Sequence, residues 1–395
     1  DTIIPAIRSL EQLGMSICGP LSADTAGAAY TVSYYHFIPD RKGTYPRIFL
    51  QAGLHADEQP GTLILHYLLD MLEQADKSGQ LNAEFIVFPM VNPIGISQIY
   101  NHHHSGRFDF STGLNFNRNW PDLAECILNN EPDILDKLSE NEHENKDKIL
   151  SSVRRWIARQ TPITALEKLR LEIIKIAIEC DVVLDLHCDV DATNHIYIVP
   201  QLMPEYQDLA NWMGSRVTLT AENSGGGSFD EVWPRLWIDL QRLCPDKPVP
   251  PPILSATLEY RGLIDVEETL NKLDAENLMG FFITRGFINS KMDKAAPIMP
   301  PALPFNATQI IKASFSGLVC YHVTLGQRVD EGELIASILL LDGPDAFRKK
   351  IPVYAGTSGI VFSMMLQKYI WKGAPLAKIA GSKPLSNRKG VLLEA

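Results

Sequence analysis

The sequence predicts an α/β protein followed by a smaller all-β domain. Strand-like apolar runs alternate with helical apolar spacing up to about residue 290, which is typical of a sheet covered by helices. Four prolines then fall within residues 297–304, and beyond them short apolar runs separated by glycines replace the long helical patterns. We therefore expect two domains, residues 1–295 and residues 306–395.

The elements of the first domain follow from local residue patterns. Apolar runs predict strands at residues 47–52, 84–88, 181–186, 196–199 and 253–258. Helical spacing predicts helices at residues 62–72 and 164–180, and a capping box of Asp265 and Glu268 opens a third helix that ends near residue 287. Residues 122–160 are polar and acidic, and we expect them to form a surface insertion.

The second domain contains an internal repeat. The run SGLV at 316–319 recurs as SGIV at 358–361, and a glycine before an apolar run recurs from Gly332 to Gly373. Two similar strand-rich units predict a barrel or sandwich, and the repeat resembles the barrel-sandwich fold of biotinyl and lipoyl carrier domains. Those domains carry a modified lysine between their halves. Lys349 and Lys350 lie in that interval without the flanking motif, so a structural or lid role is favoured.

Composition excludes several classes of protein. The 395 residues are 45% hydrophobic and 21% charged, as in ordinary globular proteins, and no apolar run is long enough to cross a membrane. The net charge of −11 argues against a nucleic-acid partner. The six dispersed cysteines contain no C-x-x-C pair and no signal peptide is visible, so we expect a reducing compartment and a cytoplasmic location.

The most informative motif is GLHADEQPG at residues 53–61, between a predicted strand and a predicted helix. His55 and Glu58 are separated by two residues on a turn, where an imidazole and a carboxylate can bind the same metal ion. Zinc accepts such mixed nitrogen and oxygen ligands. The alternative interpretation is a surface turn whose carboxylate is stabilised by the helix dipole.

A third metal ligand is available at the end of the next central strand. His187 lies in DLHCD at residues 185–189, and ligands gather at the carboxyl ends of strands in α/β sheets. The alternative is a core histidine. Asp185 is placed either to orient a metal ligand or to face a neighbouring helix. Cys188 is predicted to be a small buried residue.

Two further segments carry charged residues suited to catalysis. In Asn117-Arg118 an amide adjoins a guanidinium, which binds carboxylates with two parallel hydrogen bonds. Arg107 offers a second positive charge, or is a solvated loop residue. Glu259 ends an apolar strand, where a carboxylate is costly unless paired or functional. It could act as a general base beside a metal-bound water, or form a buried ion pair with Arg261.

In this order, these segments resemble the zinc carboxypeptidase superfamily, and more narrowly its succinylglutamate desuccinylase/aspartoacylase branch. The resemblance covers residues 45–290 and implies a mixed central sheet flanked by helices in a zinc hydrolase domain. A C-terminal β domain is also known in that branch. The resemblance implies one Zn²⁺ per chain held by His55, Glu58 and His187, a substrate carboxylate bound by Asn117 and Arg118, a polarised carbonyl at Arg107, and Glu259 as general base.

The sequence departs from the branch in ways that bear on the substrate. Asn115 stands where the branch usually has the Asp of Asp-x-Asn-Arg. Residues 259–261 are closer to the carboxypeptidases, whereas residues 53–61 are closer to the deacylases. The implied function is a zinc-dependent deacylase acting on an N-acyl amino acid or a similar small amide with a free carboxylate. The alternatives are a metallocarboxypeptidase acting on peptides and a non-catalytic ligand- or partner-binding protein. A small-molecule partner, no nucleic acid and no membrane are expected, and a homo-oligomer is compatible with the sequence.

Overall fold

The computed structural model describes residues 15–393. The first 14 residues of the first predicted domain and the last two of the second lie outside the described residues. A mixed nine-stranded sheet runs through the larger part of the chain, in the order β1-β2-β4-β3-β7-β10-β8-β9-β11, and β5 and β6 form a separate hairpin. The strands are β1 Met15–Ser22, β2 Ala29–Phe37, β3 Arg47–Ala52, β4 Glu84–Phe88, β5 Ile99–Tyr100, β6 His103–His104, β7 Val182–Asp189, β8 His195–Ile198, β9 Val217–Thr220, β10 Leu254–Gly262 and β11 Leu303–Pro304.

Helices cover both faces of this sheet, as the sequence predicts. They are α1 Pro60–Lys77, α2 Pro93–Ile96, α3 Leu123–Asn130, α4 Glu142–Ala158, α5 Ala165–Ala177, α6 Gln207–Met213, α7 Phe229–Leu243 and α8 Glu268–Thr284. Consecutive residues of a strand point to opposite faces, so Phe49 packs in one apolar cluster and Leu50 in the other. Both faces are therefore buried, which explains the nearly continuous apolar sequence of the central strands.

The three central strands β3, β7 and β10 are adjacent and mutually parallel. Parallel neighbours place their carboxyl ends at the same edge of the sheet. The loop after β3 and the last residues of β7 and β10 therefore meet there, and these are the segments that carry the predicted metal ligands and Glu259.

Two local predictions are wrong. Residues 122–160 are not a surface insertion, because α3 packs against α7 and α4 packs against α3 and α5. Ile149, Val153 and Ile157 of α4 are buried in the apolar cluster on one face of the sheet. Apolar residues four apart form a single buried stripe under an otherwise polar helix. The predicted capping box is also absent. Asp265 accepts a hydrogen bond from the Gly262 amide, and Glu267 caps α8 instead.

The C-terminal β region, residues 308–380, consists of two four-stranded sheets around one apolar core. Their orders are β12-β19-β17-β14 and β16-β15-β13-β18. The strands are β12 Thr308–Lys312, β13 Gly317–Tyr321, β14 Arg328–Val329, β15 Leu334–Leu340, β16 Lys350–Tyr354, β17 Gly359–Met364, β18 Tyr369–Ile370 and β19 Pro375–Ala380.

The internal repeat occupies equivalent places in the two sheets. Gly317 begins β13, which pairs with β15, and Gly359 begins β17, which pairs with β19. A Cβ atom on either glycine would lie 2.2 Å from a carbonyl oxygen of the partner strand, that of Leu339 or of Ala380. Both halves of the repeat therefore need glycine for the same close approach of two backbones.

The C-terminal β region packs against the end of the main sheet. Ala192 and Ser363 form a bridge between the two parts, and Phe362 is buried against the His195 ring. Lys378 of β19 also contacts Asp189 at the end of β7. This packing brings the second region to the edge where the predicted site residues lie. Within residues 15–393, none of the helices combines the length and the apolar character that crossing a lipid bilayer requires.

Candidate metal centre and active site

His55, Glu58 and His187 form a buried cluster at the carboxyl edge of the sheet. Their ligand atoms all lie within 4.8 Å of one another. The Nδ1 atom of His55 is 2.9 Å from Glu58 Oε1, and the Nδ1 atom of His187 is 2.7 Å from Glu58 Oε2. The turn that delivers the first two requires Gly53, whose φ is +71° and whose missing Cβ would lie 2.5 Å from Met90 Sδ.

Each imidazole is oriented by an oxygen on its far side. His55 Nε2 donates to Asn115 Oδ1 at 2.8 Å, and His187 Nε2 donates to Asp185 Oδ2 at 2.7 Å. With each Nε2 atom held by that oxygen, the two Nδ1 atoms face the carboxylate of Glu58, and they could bind a cation that replaces the protons shared with it. Asp185 therefore contacts the predicted ligand His187, which is the first of the two placements that the sequence left open.

This arrangement fits a divalent cation. Although burial lowers it, the charges of Asp185 and Glu58 raise the pKa of His187 well above its usual value. The pKa of Glu58 lies well below its usual range, because the two histidines outweigh the effect of burial. The Glu58 carboxylate is thus stabilised in its negative form by positive charge on its neighbours, and a bound cation would supply that positive charge instead. Two imidazole nitrogens and one carboxylate are also a donor set that zinc takes in catalytic sites.

Arg107 lies beside the cluster rather than in solvent. Its Nη1 donates to Glu58 Oε1 at 3.0 Å and is 3.2 Å from His55 Nδ1. Gly106 makes this approach possible, since a Cβ there would lie 2.3 Å from the Asp57 amide nitrogen. The loop that carries Arg107 is thereby packed directly on the turn that carries the first two predicted ligands.

Asn117 and Arg118 also reach the cluster. Asn117 is buried, its Oδ1 accepts the Phe229 amide at the start of α7, and its Nδ2 is 3.4 Å from His187 Nε2. Arg118 is half-buried, and its Nη1 donates to the Asn117 carbonyl at 2.7 Å. Burial, and secondarily the charge of Arg107, lowers the pKa of Arg118. The pair therefore presents a desolvated guanidinium near the metal cluster.

Glu259 lies on β10 directly beside His187 of β7. Its Oε2 atom is buried and has no hydrogen-bond partner among the described residues. Burial, with repulsion from Glu58 second, raises the pKa of Glu259 to about 8. The alternative partner Arg261 adopts a φ of +60° and pairs with Asp274 instead. The predicted ion pair between Glu259 and Arg261 is therefore not formed.

All seven predicted site residues line one cavity of about 330 Å³. Its opposite wall comes from the C-terminal β region, which contributes Met364, Leu376 and Lys378. Lys378 Nζ is 2.6 Å from Asp189 Oδ2. Although burial opposes it, this cation lowers the pKa of Asp189 to about 2.

Several residues of the cavity are missed by the sequence reasoning. A signal for Lys378 is its position inside the apolar run of residues 375–380, where a lysine is unusual unless it is paired. Asp189 stands in the DLHCD motif but receives no predicted role. Asp230 and Glu231 are also buried in the cavity wall. Their sequence position gives no signal of this, because acidic residues are common in the first turn of any helix. Cys188 is buried, as predicted.

Comparison with known proteins agrees with this architecture. A family model described as zinc carboxypeptidase matches residues 21–170. Comparison with curated proteins gives no match. A structure from Shewanella frigidimarina NCIMB 400, assigned to the succinylglutamate desuccinylases/aspartoacylases, is 22% identical with a TM-score of 0.78, covering 93% of this chain and 96% of that one.

Two other solved structures share the fold over similar lengths. A succinylglutamate desuccinylase/aspartoacylase family protein from Shewanella amazonensis SB2B is 21% identical with a TM-score of 0.75, covering 93% and 98% of the two chains. The ectoine utilization protein EutE (DoeB) from Ruegeria pomeroyi, solved with product bound, is 15% identical with a TM-score of 0.62, covering 93% and 95%. The resemblance to zinc carboxypeptidases that the sequence predicts is thus confirmed by the family model, and the resemblance to the desuccinylase/aspartoacylase branch is confirmed at the level of the fold.

Proposed function

We propose that this protein is a zinc-dependent deacylase that hydrolyses the amide bond of an N-acyl amino acid or a similar small amide with a free carboxylate. The observation that carries the proposal is that His55, Glu58, His187 and Glu259 line one cavity, and that the buried Oε2 atom of Glu259 has no hydrogen-bond partner among the described residues. The similarity to zinc carboxypeptidases and to desuccinylase/aspartoacylase structures supports it.

The three clustered side chains would hold one Zn²⁺, which when bound lowers the pKa of a water molecule and polarises the substrate carbonyl. Asp185 and Asn115 hold the two imidazoles in the tautomer that leaves Nδ1 free to bind the ion. Neither orienting residue requires a side-chain movement for this role, because both hydrogen bonds are already formed.

Glu259 is assigned the proton transfers. Its free Oε2 takes a proton as the water oxygen bonds to the carbonyl carbon, and the same atom returns that proton to the nitrogen as the C–N bond breaks. The products are a carboxylic acid and an amine, so no further reactant is needed. Arg107 is placed to donate a hydrogen bond to the oxyanion that develops on the carbonyl oxygen.

Arg118 and Asn117 are assigned to the substrate carboxylate. A buried guanidinium binds a carboxylate more strongly than an exposed one, because less water competes for it. Anchoring this group sets the distance from the carboxylate to the scissile amide. We further propose that residues 1–295 form the hydrolase domain and residues 306–395 a β domain that narrows its cavity, which favours small amides over peptides.

The five cysteines with described side chains are all unpaired, which supports the proposed reducing, cytoplasmic location. They are Cys126, Cys180, Cys188, Cys244 and Cys320.

A metallocarboxypeptidase is the second candidate, because the family model that matches the chain is that of zinc carboxypeptidases. The two functions share the metal centre, the general base and the carboxylate anchor. They differ in what lies on the acyl side of the scissile bond, which is a small acyl group in one case and a peptide chain in the other.

The decisive experiment is a substrate panel with the zinc-loaded full chain, followed by release of free amine. N-acetyl and N-succinyl amino acids are compared with short peptides that have a free C-terminus. We expect turnover of the acyl amino acids. If the acyl amino acids are not hydrolysed and C-terminal residues are released from the peptides, the protein is a carboxypeptidase. Absence of all turnover with zinc bound would contradict both and favour a binding protein.

Glu259→Gln provides the control for chemistry. Removing the general base should lower turnover by about 10²-fold or more while zinc and fold are retained. Glu331→Gln, at an exposed turn of the C-terminal β region, is the matched substitution and should leave turnover unchanged. Near-wild-type turnover in Glu259→Gln would rule out the role given to this carboxylate.

A further inference from the structure

A second group of acidic and hydroxyl oxygens lines the same cavity, in addition to the seven predicted site residues. Ser224, Asp230 and Glu231 all line it, and their exposed fractions are 3%, 7% and 5%. The Ser224 amide donates to Glu231 Oε1 at 2.7 Å. Glu231 Oε2 and Ser224 Oγ are both buried and have no hydrogen-bond partner among the described residues.

A buried carboxylate oxygen that has no donor, such as Glu231 Oε2, is costly. An unmet hydrogen-bonding group loses its hydration without replacement, and the loss is greater for a carboxylate than for a hydroxyl. The nearest cation on the same helix does not supply the missing donor, since Arg235 donates to Asp122 at 2.6 Å and to Asp239 at 3.4 Å. Burial, with the charge of Asp230 second, raises the pKa of Glu231 to about 7.

The position at the start of α7 does not account for this arrangement. Carboxylates in a first helical turn are favoured by the dipole, but exposed side chains would serve equally well. The first amide of α7, that of Phe229, is already bound by Asn117 Oδ1. Glu231 in particular does not cap the helix, because its Oε1 accepts the amide of Ser224 in the preceding loop, and its side chain lines the cavity.

We infer that Glu231, together with Ser224 and Asp230, forms a subsite for a primary ammonium group of the substrate. An ammonium has three N–H donors and no acceptor, which matches a cluster of three oxygen-bearing side chains. This inference rests on the proposed function and narrows its substrate class. The amine released would be an amino acid with a second, unacylated amino group, such as ornithine or lysine.

The loop of residues 224–227 connects this subsite with the proposed carboxylate anchor. Gly226 lies against Arg118, whose Cδ would be 2.9 Å from a Cβ atom at that glycine. The amide of Asn119 also donates to the Gly226 carbonyl at 3.0 Å. A carboxylate at Arg118 and an ammonium at Glu231 would therefore be bound on the two sides of one short loop, which suits a zwitterionic amino acid.

The test compares substrates of similar size that differ in charge. Nα-acyl and Nω-acyl forms of ornithine and lysine are measured beside acyl norleucine and acyl glutamate with the zinc-loaded full chain. We expect kcat/KM to favour one of the cationic forms by about 10–100-fold, as a charged hydrogen bond would give. Glu231→Gln should reduce this preference below about threefold, a ratio that cancels any general loss of active protein.

Glu222→Gln is the matched control, because Glu222 precedes the same loop and pairs with Arg242 outside the cavity. It should keep the preference. Calorimetric binding of free ornithine and norleucine adds a readout that needs no turnover. Equal hydrolysis of cationic and neutral substrates, or an unchanged preference in Glu231→Gln, would overturn the subsite while the deacylase stands. Ornithine binding that depends on Glu231 in a protein without amidase activity would support the subsite and reject the proposed function.

Discussion

The two walls of the cavity are built in different ways. In the wall that carries the candidate metal site, both imidazoles are held through both ring nitrogens. The three clustered side chains come from the ends of adjacent parallel strands. The opposite wall is largely apolar and comes from one sheet of the C-terminal β region, that of β12, β19, β17 and β14. It is joined to the first region by the contact between Lys378 and Asp189, among others. The two clustered imidazoles are thus held by dense hydrogen bonding, while cavity shape depends on packing that can vary independently.

The two walls nevertheless meet on one strand. His187 and Asp189 are two residues apart on β7 and therefore point to the same side of the sheet. His187 is a proposed ligand of the metal, and Asp189 forms an ion pair with Lys378 of the C-terminal β region. Substitutions around the cavity should separate metal binding from stability, and the following four predictions are ordered by the size of the expected effect.

His187→Ala should abolish the metal centre. Loss of one of three ligands from a buried site removes most of the affinity for zinc. We expect zinc per chain, measured by elemental analysis after dialysis, to fall close to zero and amide hydrolysis to fall to the level of the metal-free protein. His143→Ala, at an exposed position of α4, should retain zinc. A full zinc content in His187→Ala would exclude this residue from the ligand set.

The two orienting residues should respond unequally. Asp185→Asn replaces a carboxylate acceptor of His187 and should weaken zinc affinity by about 10–100-fold. Asn115→Asp should not weaken zinc affinity, because His55 keeps an oxygen acceptor. The substitution also removes the buried Nδ2 atom of Asn115, which has no hydrogen-bond partner among residues 15–393. Competition with a chromogenic chelator measures both affinities. Equal losses in the two variants would show that acceptor charge is not what orients the imidazoles.

Lys378→Met should affect stability more than metal binding. It leaves Asp189 buried without its cation, which should lower the free energy of unfolding by about 1–3 kcal/mol. Zinc content should stay at the wild-type value. Thermal unfolding of the single variant is compared with Lys378→Met/Asp189→Asn, which should recover part of the loss. No recovery in the double variant would mean that packing of the lysine stem, rather than the charge pair, joins the two regions.

Glu231→Gln should have the smallest effect, and one that depends on pH. The pKa of Glu231 is raised to about 7 in the folded protein from an ordinary value near 4.5. Its contribution to stability is thus complete below pH 4.5 and is lost as the pH rises through 7. The glutamine variant does not titrate there, so its unfolding midpoint should exceed that of the ligand-free wild type by about 2 °C at pH 8 and not at pH 4.5. A difference independent of pH would argue against a buried, uncompensated carboxylate.

The parts predicted from sequence are those whose signal is local. Strands β3 and β4 occupy the predicted residues 47–52 and 84–88, since apolar runs between turn residues leave few alternatives. The pairing of His55 with Glu58 follows from their spacing on one turn. The error at residues 122–160 arose because a polar average conceals an apolar stripe, as α4 shows with residues four apart.

The sequence by itself determined the α/β alternation, the repeated glycines of the β region and the residues that cluster at the candidate metal site, because these depend on local spacing and on the direction in which strands end. Only the tertiary structure decided what lies opposite that centre. Lys378 contacts Asp189, which is 189 residues earlier in the chain. Glu231 lines the same cavity from α7, a helix whose sequence lies between those two residues. Such contacts depend on how separate elements pack together, and their side chains carry no local pattern that distinguishes a cavity wall from an ordinary surface.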